Sequence, residues 1–160
     1  MKKKMILFTV ITLFLLIGGT GCSREAITNP EAITNPEKVT NSEELIGSWK
    51  CVGFGNLKTD KTVEIKPKDC EKCYTLTFNA EKKLNGHTST NEIWGEFIID
   101  TSTNKIKFNE LGGTKINELL DGREFVEALH QVNSYDLTKD SLLLFYEIET
   151  KYLLFNRIKK

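Results

Sequence analysis

The chain has 160 residues, and its 22 lysines and arginines equal its 22 aspartates and glutamates in number. This length fits one domain with or without an appendage, and a hydrophobic fraction of 39% is too low for a protein that spans a membrane many times. Because there is no basic excess to neutralise phosphates, a nucleic-acid partner is not expected.

The first 21 residues have the layout of a bacterial signal peptide. Three lysines precede an apolar run over 5–17, which is shorter than the roughly 20 residues that a membrane-spanning helix needs. Small residues then lead to Cys22, an arrangement that resembles a lipobox, although Gly19 stands where leucine is preferred. We therefore expect cleavage before Cys22 and attachment of acyl chains, palmitate among them, which together anchor a protein stably. A plain secretory signal and an uncleaved anchor are the alternatives.

These features predict a lipoprotein of the bacterial cell envelope, with the outer membrane as the expected location. Ser23-Arg24-Glu25 follows the cysteine and holds too few acidic residues to indicate surface display. The periplasmic and surface faces therefore both stay open. The expected partners are the membrane, through the lipid anchor, and an unidentified envelope protein.

A hexapeptide is repeated three times after the cysteine. Residues 25–30 and 31–36 both read EAITNP, and residues 37–42 read EKVTNS. The prolines disfavour helix in the residues that precede them, and each copy holds a single Ile or Val, too little to bury. We expect residues 22–42 to form a solvated tether that reaches about 60 Å when fully extended. A peptide that docks on a partner is the alternative.

From Ser42 onward the pattern becomes that of short strands. Glu43 to Trp49 starts with an N-cap candidate and a short helical turn, and Tyr74, Leu76 and Phe78 alternate with threonines, which places the three on one face of a strand. Patterns of this kind fall in nine segments, at 49–54, 63–65, 74–78, 84–86, 94–99, 105–108, 135–137, 141–148 and 151–158. From them we expect about seven or eight short strands.

One helix is predicted, over Arg123–Val132, after an entry at Asp121-Gly122. Its apolar residues recur at the spacing of a buried helical stripe: Phe125, Val126, Leu129 and Val132. Closely spaced strands pair in antiparallel fashion, because parallel crossovers need a dozen or more residues. For residues 43–160 we therefore predict a mainly β domain of the α+β class, either a curled antiparallel sheet or a partly open β-barrel, with one packed α-helix.

Three cysteines follow Cys22, and disulfides persist outside the cytoplasm. A bridge from Cys51 to Cys70 or Cys73 would join the first strand to a loop, whereas a Cys70–Cys73 bridge would use the C-x-x-C spacing. Redox catalysis is not expected, since the pair precedes a strand rather than opening a helix. Free or metal-bound thiols are the third possibility, with His87 as a further zinc ligand, but one C-x-x-C is a weak zinc signal.

No motif of an enzyme is present: G-x-S-x-G, the P-loop and H-E-x-x-H are all missing. His130 falls on the helix and is expected to be a partly exposed helix residue rather than a base. We therefore expect no catalytic residue, no metal and no cofactor. The side chains named as candidates for contact with a ligand are His87, Asn91 and Trp94, in and beside a polar loop.

The segment from Trp49 to the C-terminus resembles the META domain family of small bacterial envelope proteins. The pieces that carry the resemblance are Trp49, Thr75–Phe78, Gly86, Ser89–Asn91, Gly95–Phe97, Gly113–Ile116, Glu124–Leu129, Leu142–Leu144 and Leu153–Phe155. One departure is Thr90, which stands where many relatives carry a cysteine.

The resemblance implies a β-rich fold with one packed helix and a role in envelope stress or surface interaction, with no catalytic residues carried over. It also implies that the usual family cross-link is missing and that Cys51 with Cys70 or Cys73 replaces it. Gly86, Asn91 and Gly95 are expected to serve the backbone geometry of the loop, because Gly and Asn adopt positive φ at little cost.

Three function hypotheses follow. The first is a non-enzymatic envelope lipoprotein that is structural, stress-related or protein-binding. The second is an inhibitor of a secreted protease, which would insert an exposed loop at Asn85 to Glu92 into the active-site cleft. The third is a lipocalin-like carrier of a small apolar ligand, which needs an open cavity and would be excluded by a filled interior.

Overall fold

Nine strands make up most of the part of the chain that the computed structural model describes, residues 42–159. Cys22 and most of the tether lie outside the described residues. The elements are a 3₁₀-helix (Ser42–Leu45), β1 (Gly47–Asn56), β2 (Lys61–Glu64), β3 (Thr75–Phe78), β4 (Lys83–His87), β5 (Glu92–Asp100), β6 (Lys105–Gly113), α1 (Gly122–Gln131), β7 (Ser134–Leu137), β8 (Ser141–Tyr146) and β9 (Lys151–Arg157).

All the strand pairs are antiparallel, and the strands follow one another in the order β2-β1-β3-β4-β5-β6-β7-β8-β9. One edge of β1 pairs with β3 over 47–50 and with β2 over 53–56, while its other edge pairs with β9. The sheet therefore curls until its first and last strands meet. The expectation of a curled antiparallel sheet with one helix is confirmed.

Aromatic side chains fill the inner face of this sheet. Tyr74 and Phe125 meet edge to face with ring centroids 5.3 Å apart, and Phe78 and Phe97 do the same at 5.1 Å. Trp49 is fully buried and donates its indole N–H to the carbonyl of Leu45 at 2.9 Å. Burying each such ring contributes roughly 1.5–3 kcal/mol. The rings occupy the space that a lipocalin-like ligand would need.

Helix α1 packs onto the core through Phe125, Ala128 and Leu129, and Val132 is buried just past its end. Val126, predicted for the buried stripe, is only half-buried. The Asp121 side chain does not cap the helix; its carboxylate instead accepts a hydrogen bond from the backbone N–H of Lys66 at 2.7 Å. No helix within residues 42–159 is long and apolar enough to cross a membrane.

Several strand ends differ from the sequence prediction, and those of β6 and β8 have identifiable causes. β6 runs on to Gly113 rather than ending at Phe108, because a bulge opposite Trp94 and Glu96 lets the pairing with β5 continue through a polar stretch. β8 stops at Tyr146, since the next three residues, 147–149, adopt positive φ and form the turn. Ile148 in that turn is 92% exposed, which the apolar pattern could not indicate.

Candidate functional site

A single carboxylate, that of Glu118, holds together the loop between β4 and β5 and the segment that leads into α1. Four consecutive side chains of the β4–β5 loop reach it. Asn91 donates its amide N–H at 2.6 Å, Ser89 its hydroxyl at 2.6 Å, and Thr90 its hydroxyl at 3.1 Å. The Thr88 hydroxyl lies 2.7 and 2.8 Å from the two oxygens. We call this arrangement the Glu118 cluster: Thr88, Ser89, Thr90, Asn91 and Glu118.

The surroundings of Glu118 favour its charged form. Burial alone would raise the pKa of its carboxyl, but hydrogen bonds from Ser89, Thr88, Asn91 and Thr90 outweigh burial and hold the pKa below its ordinary value. Hydrogen bonds to an ionised acceptor are also about twice as strong as neutral ones. The cluster therefore acts as a charged anchor for two loops.

The amide of Asn91 recognises the backbone of the facing segment. Its oxygen accepts the N–H of Ile116 and the hydroxyl of Thr114, both at 2.8 Å, and its nitrogen donates to the carbonyl of Ile116 at 2.7 Å as well as to Glu118. Asn91 is buried, and its oxygen and nitrogen are both occupied by these contacts. Asn91 therefore holds the loop against the facing segment.

The first residue of α1 is small because the cluster lies against it. A Cβ on Gly122 would lie 2.2 Å from the hydroxyl of Ser89 and 2.3 Å from a carboxylate oxygen of Glu118. The same hydroxyl accepts the backbone N–H of Leu119 at 3.0 Å. The start of the helix is thus fixed to the β4–β5 loop.

The positive-φ role expected of three loop residues was wrong. Among the described glycines only Gly47 has positive φ, and Asn91 does not have it either. Gly86 is required by close approach, because a Cβ there would lie 2.0 Å from the carbonyl oxygen of Thr75 on β3. Gly95 on β5 lies opposite the bulge of β6, and a Cβ there would lie 3.0 Å from the carbonyl oxygen of Asn109.

The three candidate contact residues are not brought together. His87 and Trp94 lie on the outer face of β4 and β5, whereas Asn91 is buried beneath the loop. Trp94 is 48% exposed. Its ring lies over Gly112, where a Cβ would be 3.4 Å from the indole nitrogen, and so covers the backbone that this glycine leaves bare. Of the three, Trp94 is the most exposed to solvent.

The segment held by the cluster displays apolar side chains to solvent. Ile116, Leu119 and Leu120 are 64%, 61% and 67% exposed. Beside them lies a groove of about 540 Å³ between β6 and α1, with Leu111, Val126 and Leu129 among its apolar lining residues. Sequence reasoning missed this surface, because a run such as Ile116–Leu120 gives no sign that its glutamate faces inward and its leucines outward.

Two of the cysteines form a disulfide, and it is the Cys70–Cys73 bridge. The expected pairing of Cys51 with one of them is wrong, since Cys51 is a free thiol buried in β1. Burial raises the pKa of that thiol to about 12, which keeps it protonated and unreactive. Lys50 donates to the carbonyls of Cys70 and Cys73, both at 2.5 Å, so the disulfide loop is tied to the first strand by a lysine rather than by sulfur.

Residues 42–159 contain no cluster of three or more His, Cys, Asp or Glu that could hold a metal ion. What they do contain is an anchored loop, exposed aliphatic side chains and a groove. The fold and site thus define a small β-rich domain in which one anchored segment displays aliphatic side chains beside a groove.

This chain belongs to the family described as "Domain of unknown function (DUF4847)", whose model matches residues 38–157. It is 28% identical over 159 residues to a Tannerella forsythia protein described as a "Putative lipoprotein", with 99% of each chain covered. A DUF4847 crystal structure from Bacteroides vulgatus shares the fold at a TM-score of 0.56, with 21% identity over 71% of this chain and 94% of that one. An NMR structure from Burkholderia xenovorans is similar at 0.62, with 17% identity over 82% and 97%.

The family membership corrects the META resemblance, which was wrong. The family model and the Bacteroides structure both identify DUF4847 instead. The pieces that suggested the other family, such as Thr75–Phe78 and Leu153–Phe155, are alternating strand segments. Any antiparallel sheet with one buried face produces such segments, so they do not distinguish one β-rich family from another.

Proposed function

We propose that this protein is a lipid-anchored component of the bacterial outer membrane that acts by binding another protein. The observation that carries the anchoring is the match to the Tannerella lipoprotein. That alignment spans 159 residues and so includes the leader and the region of Cys22 as well as the β-rich domain. Lipid on Cys22 would hold the domain on a tether of about 20 residues, which reaches about 60 Å when extended.

The binding role is supported by the way the apolar segment is fixed. Exposed aliphatic side chains grouped on one loop are typical of an interaction surface, and scattered single ones are not. Here one segment displays the side chains of Ile116, Leu119 and Leu120. Asn91 holds the backbone of this segment, and four side-chain donors hold its Glu118 carboxylate. A surface ordered before binding loses less conformational entropy when it binds.

The protease-inhibitor hypothesis is not supported by the same loop. It required an exposed loop at Asn85 to Glu92, whereas Thr88 and Asn91 are buried and face Glu118. Insertion of this loop into a cleft would require breaking the cluster. We therefore do not propose inhibition as the function.

The anchoring is tested by metabolic labelling with radioactive palmitate followed by separation of the membranes. We expect the wild-type chain to carry label and to sediment with the outer membrane. Cys22→Ser should remove both the label and the sedimentation. The matched control is Cys51→Ser, which should leave both unchanged because Cys51 is buried in β1. Label that persists in Cys22→Ser would contradict the proposal.

The binding role is tested by crosslinking in intact cells. A photoreactive amino acid is placed at Leu120, on the exposed segment, and at Val63, an equally exposed residue on β2. We expect a discrete crosslinked protein from position 120 and none from position 63. Equal or absent crosslinking at both positions would argue against this surface.

A further inference from the structure

The disulfide between Cys70 and Cys73 lies in the loop between β2 and β3 and spans a sequence separation of only 3. A cross-link over so short a loop stabilises a fold less than one that closes a long loop. The residues around it, Asp69, Glu71 and Lys72, are all exposed. Disulfides at an exposed site are exchanged more readily than those inside a core. The bridge therefore lies where a partner protein can approach it.

The two sulfurs of the bridge differ in accessibility. Cys70 is half-buried, whereas Cys73 is buried, with 6% of its surface exposed. The Cys73 sulfur faces inward and lies 3.6 Å from the carbonyl oxygen of Ser89 in the β4–β5 loop. A thiolate that approaches from solvent therefore reaches the Cys70 sulfur first.

A backbone donor is directed at the Cys70 sulfur. The N–H of Cys73 donates to it, with 3.2 Å between nitrogen and sulfur. Hydrogen bonds to a thiolate favour its charged form, so this N–H would stabilise the Cys70 thiolate once the bridge is open. Cys70 is then a good leaving group when a mixed disulfide at this position is resolved.

Lys50 holds the two cysteines together independently of the S–S bond. Its ammonium group donates to the carbonyls of Cys70 and Cys73, both at 2.5 Å. The backbone after Cys73 is fixed as well, because Tyr74 donates its N–H to the carbonyl of Thr88 at 3.2 Å. Opening of the bridge thus leaves both thiols near each other, and the pair can close again.

We propose that the Cys70–Cys73 bridge is an exchange site that accepts two electrons from a dithiol protein. One thiolate of the partner attacks the Cys70 sulfur and forms a mixed disulfide with it, and Cys73 leaves as a thiolate that takes up a proton. The second thiolate of the partner then attacks the partner's sulfur in the mixed disulfide and releases Cys70, which also takes up a proton. The partner ends as a disulfide and this chain as a dithiol, and the two protons are those that the partner's thiols lost.

The partner must supply the attacking thiolate, because this pair precedes β3 and does not open a helix that would activate it. The bridge is therefore the substrate of the exchange rather than its catalyst. Cys51 takes no part, since it is fully buried in β1. The exchange depends neither on the apolar side chains at 116–120 nor on lipid at Cys22, so its tests are separate from those of the proposed function.

The first test exposes the folded chain, from residue 22 onward with Cys22→Ser, to a reduced thioredoxin as the dithiol probe. The reaction is stopped with acid, and the thiols are alkylated after unfolding and counted by mass spectrometry. We expect labels on Cys70 and Cys73 as well as on Cys51, which is labelled in every case and is the internal standard. The fluorescence of the buried Trp49 should meanwhile stay that of the folded chain. A bridge that is reduced only after urea unfolds the chain is purely structural and would overturn the proposal.

Two single replacements test which sulfur is attacked. In Cys73→Ser the remaining Cys70 thiol should react with dithionitrobenzoate about 10-fold faster than the Cys73 thiol that remains in Cys70→Ser, because Cys73 is buried. Both variants lose the same cross-link, so a shared loss of stability does not affect the comparison. Equal rates, or a faster reaction of Cys73, would overturn attack at Cys70.

Lys50→Met tests whether the lysine keeps the reduced pair together. Reoxidation of the dithiol by oxidised glutathione should slow about 10-fold in this variant, since the two thiols are no longer held side by side. The matched control is Lys72→Met, which removes the same charge from an exposed position of the loop and should reoxidise like wild type. Equal rates of reoxidation in the two variants would contradict the positioning role of Lys50.

Discussion

Replacing Glu118 should detach the segment before α1 from the β4–β5 loop. In Glu118→Ala, the amide of Asn91 and the hydroxyls of Thr88 and Ser89 lose their shared acceptor. Hydrogen bonds to a charged group contribute about 1.5–3 kcal/mol each, and water will replace part of that at this half-buried site. We expect a loss of about 3 kcal/mol in the free energy of unfolding.

The measurement is urea unfolding of the chain from residue 22 onward with Cys22→Ser, followed by tryptophan fluorescence. The matched control is Glu127→Ala, which removes the same charge from an exposed position of α1 and should cost less than about 0.5 kcal/mol. An equally small loss of unfolding free energy in Glu118→Ala and Glu127→Ala would show that the Glu118 cluster does not hold the loop.

The pH dependence of the free energy of unfolding tests independently whether the charged form of Glu118 stabilises the fold. Because the folded-state pKa of Glu118 lies below its ordinary value of 4.5, its charge contributes stability above that value. This contribution is lost as the pH falls through the folded-state pKa. The difference in unfolding free energy between wild type and Glu118→Gln should therefore be largest near pH 6 and shrink below about pH 4. A difference that grows toward low pH would contradict it.

Four other predictions concern residues elsewhere in the fold. Ile148→Gly should raise the free energy of unfolding by about 1 kcal/mol, as read from the thermal midpoint, because Ile148 holds a φ of 55° in an exposed turn. Gly86→Ala should lower it by about 2–3 kcal/mol, as measured in urea, since the new Cβ would meet a β3 carbonyl, and an unchanged midpoint would contradict the close approach. Cys51 should resist alkylation in the folded chain and react only after denaturation, as mass spectrometry would show, whereas Cys70→Ser with Cys73→Ser should cost about 2 kcal/mol for a loop this short.

The sheet could be predicted from the sequence because one face of each strand is buried. Tyr74, Leu76 and Phe78 alternate with polar residues, and all three are buried as expected. The ends of β6 and β8 could not be read in this way. A bulge extends β6 through polar residues, and a turn with positive φ takes in Ile148 although it is apolar.

The candidate site was largely beyond sequence reasoning. The sequence draws attention to the loop around Asn91, but the partner of Asn91 is Glu118, which lies 27 residues away along the chain. Contacts of that separation depend on how β5 and β6 pair and leave no local pattern. The same limit explains the cysteines, since spacing alone could not show that Lys50, rather than Cys51, contacts the disulfide loop.

Lipid anchoring is tested by the mass of the N-terminal peptide, measured on protein extracted with detergent from its own cells. We expect a chain that starts at Cys22 and carries a diacylglyceryl group together with an amide-linked acyl chain. A chain that starts at Met1, or an unmodified Cys22, would contradict it.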